Sequence, residues 1–183
     1  MRVITGIAKG KRLVTAEGLD VRPTPEKVKE GIFSSIQFDL EGRRVLDLFG
    51  GSGQLGIEAL SRGAEYALFV DVSPVSVKNI TKNIETTGFK DCSKVIRGDF
   101  AAVLLGLEEK FDFAFLDPPY AENILPKAIK LVGGKMNEFG KIFCEHPNDV
   151  VLPEEIDNFA IKKVFSYGKI RVSVYERKCE HNE

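Results

Sequence analysis

The sequence predicts an α/β fold, a mostly parallel sheet with helices on both faces. Three observations carry this. From Arg44 onward, short runs rich in Val, Leu, Ile and Phe alternate with helical stretches, the βα rhythm of strands buried on both sides. One of those runs ends on turn chemistry that starts a helix, the glycine cluster after Leu48. The chain has 183 residues, 43% hydrophobic and 29% charged, enough for one core and far from the composition of a disordered chain. Residues 1–183 therefore read as a single domain, with 1–38 an amino-terminal hairpin and helix and 39–183 the core.

In chain order, residues 2–15 alternate polar and apolar around Ala8-Lys9-Gly10 and predict a small β-hairpin. Arg22-Pro23-Thr24-Pro25 then leads into EKVKEGIFSSIQF, with Thr24 placed to cap a helix, Pro25 at its first position and Glu26 in its first turn. The core follows as strand 44–48, helix 54–62, strand 66–71, helix 74–87, strand 93–97, a helical piece at 100–107, strand 111–116, helix 122–132 and strand 140–145. Residues 159–165 and 169–175 flank Ser166-Tyr167-Gly168 as an antiparallel hairpin closing the sheet edge.

Charge and cysteine usage narrow the function. The formal net charge is -1, so a polyanion would have to be met by a local patch. Residues 1–12 offer one: Arg2, Lys9, Lys11 and Arg12, with no acidic residue. No apolar run approaches the roughly 18 residues of a membrane span and no signal-peptide core follows Met1, so a cytoplasmic protein without a membrane partner is expected, a monomer by default. Cys92, Cys144 and Cys179 form no CxxC pair, and with two histidines in the chain no metal site is expected, Cys144-Glu145-His146 included.

In an open parallel sheet, ligands bind beyond the carboxyl ends of the strands, and four acids stand at those ends: Asp47, Asp71, Asp99 and Asp117. DLFGGSGQLG after the first strand holds the Gly51-x-Gly53-x-x-Gly56 spacing of dinucleotide loops, where backbone amides can approach a phosphate or a carboxylate. Asp71 stands where an acid accepts both hydroxyls of a ribose; the plainer alternative is a carboxylate at a helix start beside Ser73. Asp47 separates the cofactors. An anionic carboxylate just ahead of the glycines repels a pyrophosphate and attracts an α-ammonium, as on S-adenosylmethionine. Asp99 is suited to an adenine amino group, with Phe100 to lie against the ring.

FDFAFLDPPY runs a buried strand straight into Asp117-Pro118-Pro119-Tyr120. The two prolines fix φ and donate no hydrogen bond, so the turn is rigid. Asp117 and the Pro118 carbonyl can accept the two hydrogens of a nucleobase amine and aim its lone pair at a methyl donor, while Tyr120 offers a stacking face. Without such chemistry the tetrad is only a strand-to-helix turn.

VLDLFGGSGQLGIEALSRGA, FVD, GDF and FLDPPY, together with RVITGIAKGKRL and RPTPEKVKEGIF, closely resemble the RsmD family of bacterial 16S rRNA guanine-N2 methyltransferases. The resemblance spans nearly the whole chain. It implies a Rossmann-like class I methyltransferase fold with a seven-stranded sheet, S-adenosylmethionine as cofactor, and 16S rRNA, free or within a small ribosomal subunit, as partner. It further implies that Asp47, Phe49, Gly50, Gly51, Ser52, Gly53 and Gly56 form the methionine end of the cofactor site. Asp71, Val72 and Ser73 would take the ribose, Asp99 and Phe100 the adenine, and Asp117, Pro118, Pro119 and Tyr120 the guanine. Glu58 would support the loop. Arg22 and Thr24 would line the substrate side, with Arg2, Lys9, Lys11 and Arg12 toward RNA. The family loop usually reads FAGSG where this chain has FGGSG, and the strand-two acid is often Glu where this chain has Asp71.

Three other readings remain. An adenine-N6 methyltransferase could use the same tetrad, although 183 residues leave no room for the target-recognition domain such enzymes carry. A nicotinamide-dependent oxidoreductase would explain the glycines but not Asp47 or the tetrad. A catalytically silent RNA-binding module would bind rRNA without methyl transfer.

Overall fold

The computed structural model describes residues 1–15, 24–119 and 124–178. Its elements are α1 (Glu26–Ser34), β1 (Arg44–Leu48), α2 (Gln54–Ser61), β2 (Tyr66–Asp71), α3 (Pro74–Thr87), β3 (Ser93–Arg97), α4 (Phe100–Gly106), β4 (Phe111–Leu116), α5 (Ile124–Gly133), β5 (Met136–Pro147), β6 (Glu155–Ile156), β7 (Phe159–Tyr167) and β8 (Ile170–Arg177). Among the described residues, no helix is long and apolar enough to cross a membrane.

The strands form one sheet in the order β3-β2-β1-β4-β5-β8-β7-β6. β1 pairs in parallel with both β2 and β4, while β8 runs antiparallel to β5 and to β7. The chain leaves β1 in one direction for β2 and β3, then returns to lay β4 on β1's other side. That reversal opens a crevice at the carboxyl ends of β1 and β4. The expected seven strands are here, and β6 makes an eighth, two residues that pair with Phe159 and Ala160 at the outer edge. A strand of two residues is too short to show a periodic pattern in the sequence.

Strand alternation sorts the core into two layers. Val45, Phe69, Phe113, Phe115 and Phe143 pack with Val28, Ile32 and Phe33 of α1 and Ile80 and Ile84 of α3. Leu46, Leu48, Leu68, Val70, Leu116 and Ile142 pack with Leu104 of α4 and with Leu125, Ile129 and Val132 of α5. Period-two side chains on both faces of a parallel sheet require helices on both, and both are present. α3 shows how local chemistry sets an element: Ser73 accepts from the Ser76 amide, Pro74 opens the first turn, and Gly88 closes the helix at φ 86°.

Two amino-terminal expectations need correction. Pro25, with ψ 145°, is itself the N-cap of α1 and gives no side-chain cap, so the helix starts one residue later than the Thr24 cap requires. The hairpin is present but shorter than expected: Arg2 bridges Arg12, and its arms are joined by the Val3 amide on the Lys11 carbonyl at 2.9 Å, the Leu13 amide on the Met1 carbonyl at 3.0 Å and the Gly10 amide on the Val3 carbonyl at 2.9 Å. The amides that would have completed it bond elsewhere. Ile4 and Thr5 donate to Glu58 at 2.9 and 3.0 Å, Ile7 to the Ser61 carbonyl at 2.8 Å and Ala8 to Ser61 Oγ at 3.0 Å.

Candidate active site

A cavity of about 640 Å³ opens at the carboxyl ends of β1, β2 and β4, a volume that holds a small organic molecule. Asp47, Phe49, Gly50, Gly51, Ser52, Asp71, Val72, Ser73, Asp99, Phe100, Asp117, Pro118 and Pro119 line it, so the fold gathers these expected residues in one place. Arg22 and Tyr120 lie outside the described residues. Thr15, Gln54, Leu55, Val75, Ser76 and Ile124 also line the cavity and carried no signal in the sequence.

The glycine loop is held from within. Asp47 Oδ2 accepts from the Gly56 amide at 2.8 Å, and Asp71 Oδ2 accepts from the Gly51 amide at 2.9 Å. These two amides therefore turn toward protein carboxylates rather than toward a ligand. Gly53 and Gly56 do not line the cavity either, because they lie against Phe69. A β-carbon on Gly56 would come within 2.3 Å of Phe69 Cε1 and 3.2 Å of Asp47 Cβ. Gly53 caps α2 at φ 75°, a conformation that side chains with a Cβ rarely adopt. Phe49 is left-handed as well, at φ 66°, a strained position for a non-glycine residue, and its ring meets Phe100 at 5.2 Å between centroids.

Asp71 Oδ1 also accepts from the Ser73 amide at 2.8 Å, so this carboxylate ties the glycine loop to the start of α3 while facing the cavity. The helix-start alternative and the cavity role coexist in one side chain. Asp99 caps α4, its Oδ1 accepting from the amides of Ala101 and Ala102 at 3.0 and 3.1 Å, and both of those bonds fall on one oxygen.

Asp47 is 3% exposed. Burial pushes its carboxyl up to about 8, against the Gly56 hydrogen bond, and the nearby Asp117 and Asp71 push it further the same way. The sequence predicts an anionic Asp47; burial instead shifts the balance toward the neutral acid. Among the described residues, no ion pair reaches Asp47, Asp71 or Asp117. Three neighbouring carboxyls on one cavity favour a cationic group among them.

Thr24 contributes in a way the capping signal obscured. Its hydroxyl donates to Asp117 Oδ2 at 3.0 Å. Burial raises the Asp117 carboxyl above its ordinary range, and the Thr24 hydrogen bond opposes that rise. Asp117 follows the β4 residue Leu116, which pairs with Leu48 of β1, so the tetrad begins beside the glycine loop.

Glu58 serves the amino-terminal segment rather than the loop. Fully buried, it accepts from Ile4 and Thr5, from Arg62 Nε at 2.9 Å, and lies 3.3 Å from Lys29 Nζ. Asn83, also buried, donates to the carbonyls of Val14 and Ser52, both at 2.8 Å, and fastens this segment to the loop. Part of the basic patch is spent on docking: Arg2 pairs with Glu26 at 3.2 Å, and Lys11 Nζ bonds the Thr86 carbonyl at 2.9 Å at the end of α3. Lys9 and Arg12 are exposed. Among the described residues, no group of three His, Cys, Asp or Glu could hold a metal.

The chain matches known proteins over its length. The model of the family Conserved hypothetical protein 95 covers residues 1–176. YlbH of Bacillus subtilis is 38% identical over 97% of this chain and 100% of its own length. Ribosomal RNA small subunit methyltransferase D of Haemophilus influenzae is 29% identical, over 96% of this chain and 93% of its own. Among solved structures, yhhF from Escherichia coli superposes with a TM-score of 0.84 at 25% identity, covering 97% of this chain and 98% of that one.

Proposed function

We propose that this chain, which belongs to the Conserved hypothetical protein 95 family, the RsmD family its motifs resemble, methylates the exocyclic N2 amine of a guanine in small-subunit rRNA with S-adenosylmethionine as donor. The observation that carries the reading is Asp117, held by Thr24 at the rigid Asp-Pro-Pro turn, beside a cavity ringed by acids. The name of the Haemophilus influenzae relative supports rRNA as the substrate class.

The residues present fit S-adenosylmethionine. The cavity has the volume, and acids of the kind the molecule's ammonium, ribose and adenine would need are among its lining residues. Asp47 would receive the ammonium, Asp71 with Val72 and Ser73 the ribose, and Asp99 with Phe100 the adenine. A cation beside Asp47 favours its ionised form, which offsets the burial that raises its carboxyl. When bound, the cofactor supplies a sulfonium methyl.

The chain's own part is positioning. A guanine amine is a poor nucleophile because its lone pair is delocalised into the ring. The ionised Asp117 and the Pro118 carbonyl each accept one N–H, which lets the nitrogen pyramidalise and present its lone pair. In-line placement of this kind lowers a barrier by on the order of 7–11 kcal/mol. The nitrogen becomes acidic once alkylated, and its proton passes to Asp117 or to water. Tyr120 next in the turn would stack on the extruded base.

Asp117→Ala tests this role. Turnover should fall by about 100-fold or more with cofactor affinity within a few-fold of the native protein. Native turnover in that variant would contradict the assignment.

A further inference from the structure

Two segments of this chain are basic and free of acidic residues. One is 1–12. The other is 160–175, AIKKVFSYGKIRVSVY, with Lys162, Lys163, Lys169 and Arg171, in a chain whose net charge is -1. Strand register fixes where the second lies. Leu116 of β4 pairs with Cys144 of β5, and Cys144 with Ser173 of β8, so Ser173 is level with the strand end that carries Asp117. β5 and β8 stay paired beyond that level, as far as Pro147 with Ile170. At about 3.3 Å per residue, the β7–β8 turn stands roughly 10 Å past the edge of the sheet where the site opens.

This turn is built. Gly168 takes φ 62°, and Asn148 donates its backbone amide to the Lys169 carbonyl and its side-chain amide to the Gly168 carbonyl, both at 3.0 Å. Tyr167 presses on α1, its hydroxyl 1.6 Å from where a β-carbon on Gly31 would sit. α1 is the helix that follows Thr24, the partner of Asp117. Tyr167 also stacks on Phe165, with centroids 6.4 Å apart at 19°, and Lys163 Nζ lies 4.6 Å over the Phe165 ring. Lys162, Lys163 and Lys169 are exposed and the two rings half-buried. None of the four cations has an ion-pair partner among the described residues.

Lysines on an edge strand commonly guard against pairing with another sheet. That accounts for Lys162 and Lys163, since β6 covers only Phe159 and Ala160. It leaves Lys169 at the tip unexplained, while Phe165 and Tyr167 pack against the core beneath them and remain partly exposed.

We propose that the β7–β8 hairpin is a second RNA contact, in which Lys163 and Lys169 meet phosphates flanking the target nucleotide and the Phe165–Tyr167 pair offers a face to an unpaired base. The proposal rests on the reading that the substrate is rRNA. It places positive charge on the side of the site opposite β2 and β3, complementing the exposed Lys9 and Arg12 of the amino-terminal segment.

The test compares the native chain with Lys163→Gln/Lys169→Gln and, as a charge-matched control at the far end of the sheet, Lys90→Gln/Lys94→Gln. Binding to protein-free 16S rRNA is measured across salt concentrations, with cofactor affinity as the check on folding. The hairpin variant should bind RNA about tenfold more weakly at low salt, and its plot of log K against log salt should flatten by roughly 1.4–1.8, while cofactor affinity and the control stay native. Native affinity and slope in the hairpin variant would overturn the proposal. So would a loss confined to small-subunit particles, which would assign the surface to a ribosomal protein. Should the native chain itself neither bind nor methylate rRNA, the functional reading falls and this surface with it; if the native chain methylates and the hairpin variant matches it, only the surface falls.

Discussion

Thr24 and Asp117 stand 93 residues apart in sequence and 3.0 Å apart in space, the hydroxyl donating to the carboxylate. The bond holds the acid proposed to accept the substrate amine, and it favours the ionised carboxylate against burial. Activity carried by an ionised carboxylate is lost as pH falls through its pKa, so the acid limb of the rate profile reports Asp117. Thr24→Val should lower kcat by about tenfold, the cost of one hydrogen bond to a charged group, and move that limb to higher pH. Thr24→Ser should restore both. A pH–rate series on the two variants measures it.

The proposed role of Asp47 would link cofactor affinity to pH. Its carboxyl is pushed up to about 8 in the cavity, and an ammonium beside it favours the ionised form. Binding therefore releases a proton below that pH. Affinity for S-adenosylmethionine should climb between pH 6 and pH 8, by at most about tenfold per unit, and level off above. Calorimetry in buffers of different ionisation enthalpy should show the proton directly. Asp47→Asn should bind more weakly and lose the pH dependence.

Lys29 and Glu58 form an ion pair with both side chains fully buried. Removing one partner strands the other. Glu58→Ala should cost about 3–5 kcal/mol, read as a drop in melting temperature of about 10 °C, and should free the amides of Ile4 and Thr5 to exchange with solvent. Thermal unfolding and hydrogen exchange give the two readouts.

The glycines of the loop differ in what they protect. Gly56→Ala drives a β-carbon into Phe69 and against Asp47, so stability should fall by about 1–3 kcal/mol and cofactor affinity by about tenfold or more. At Gly51 a β-carbon meets, among the described residues, the Phe49 carbonyl alone, at 4.0 Å, and φ 58° is the main obstacle. Gly51→Ala should cost about 1–2 kcal/mol of stability and keep cofactor affinity within a few-fold. Denaturant titration with cofactor-binding curves separates them.

What could be read in advance followed the range of the interaction. α3, β3 and β4 keep their expected bounds, 74–87, 93–97 and 111–116, because hydrophobic periodicity is local. The cavity-lining acids were legible because strand ends in this topology face the crevice. The Thr24–Asp117 bond and the backbone groups that Glu58 and Asn83 hold in the amino-terminal segment and the loop were not, since they join residues between 31 and 93 positions apart. Thr24 carried a misleading local signal besides, a capping residue ahead of proline. The protonation of Asp47 was hidden for another reason: it depends on how deeply the fold buries it and on two acids from other strands.

The most direct measurement is methyl transfer from labelled S-adenosylmethionine to unmodified small subunits and to protein-free 16S rRNA, followed by nucleoside digestion and mass spectrometry. Label in N2-methylguanosine, absent with Asp117→Ala, is the result this account predicts. Label in N6-methyladenosine, or none despite tight cofactor binding, would contradict it.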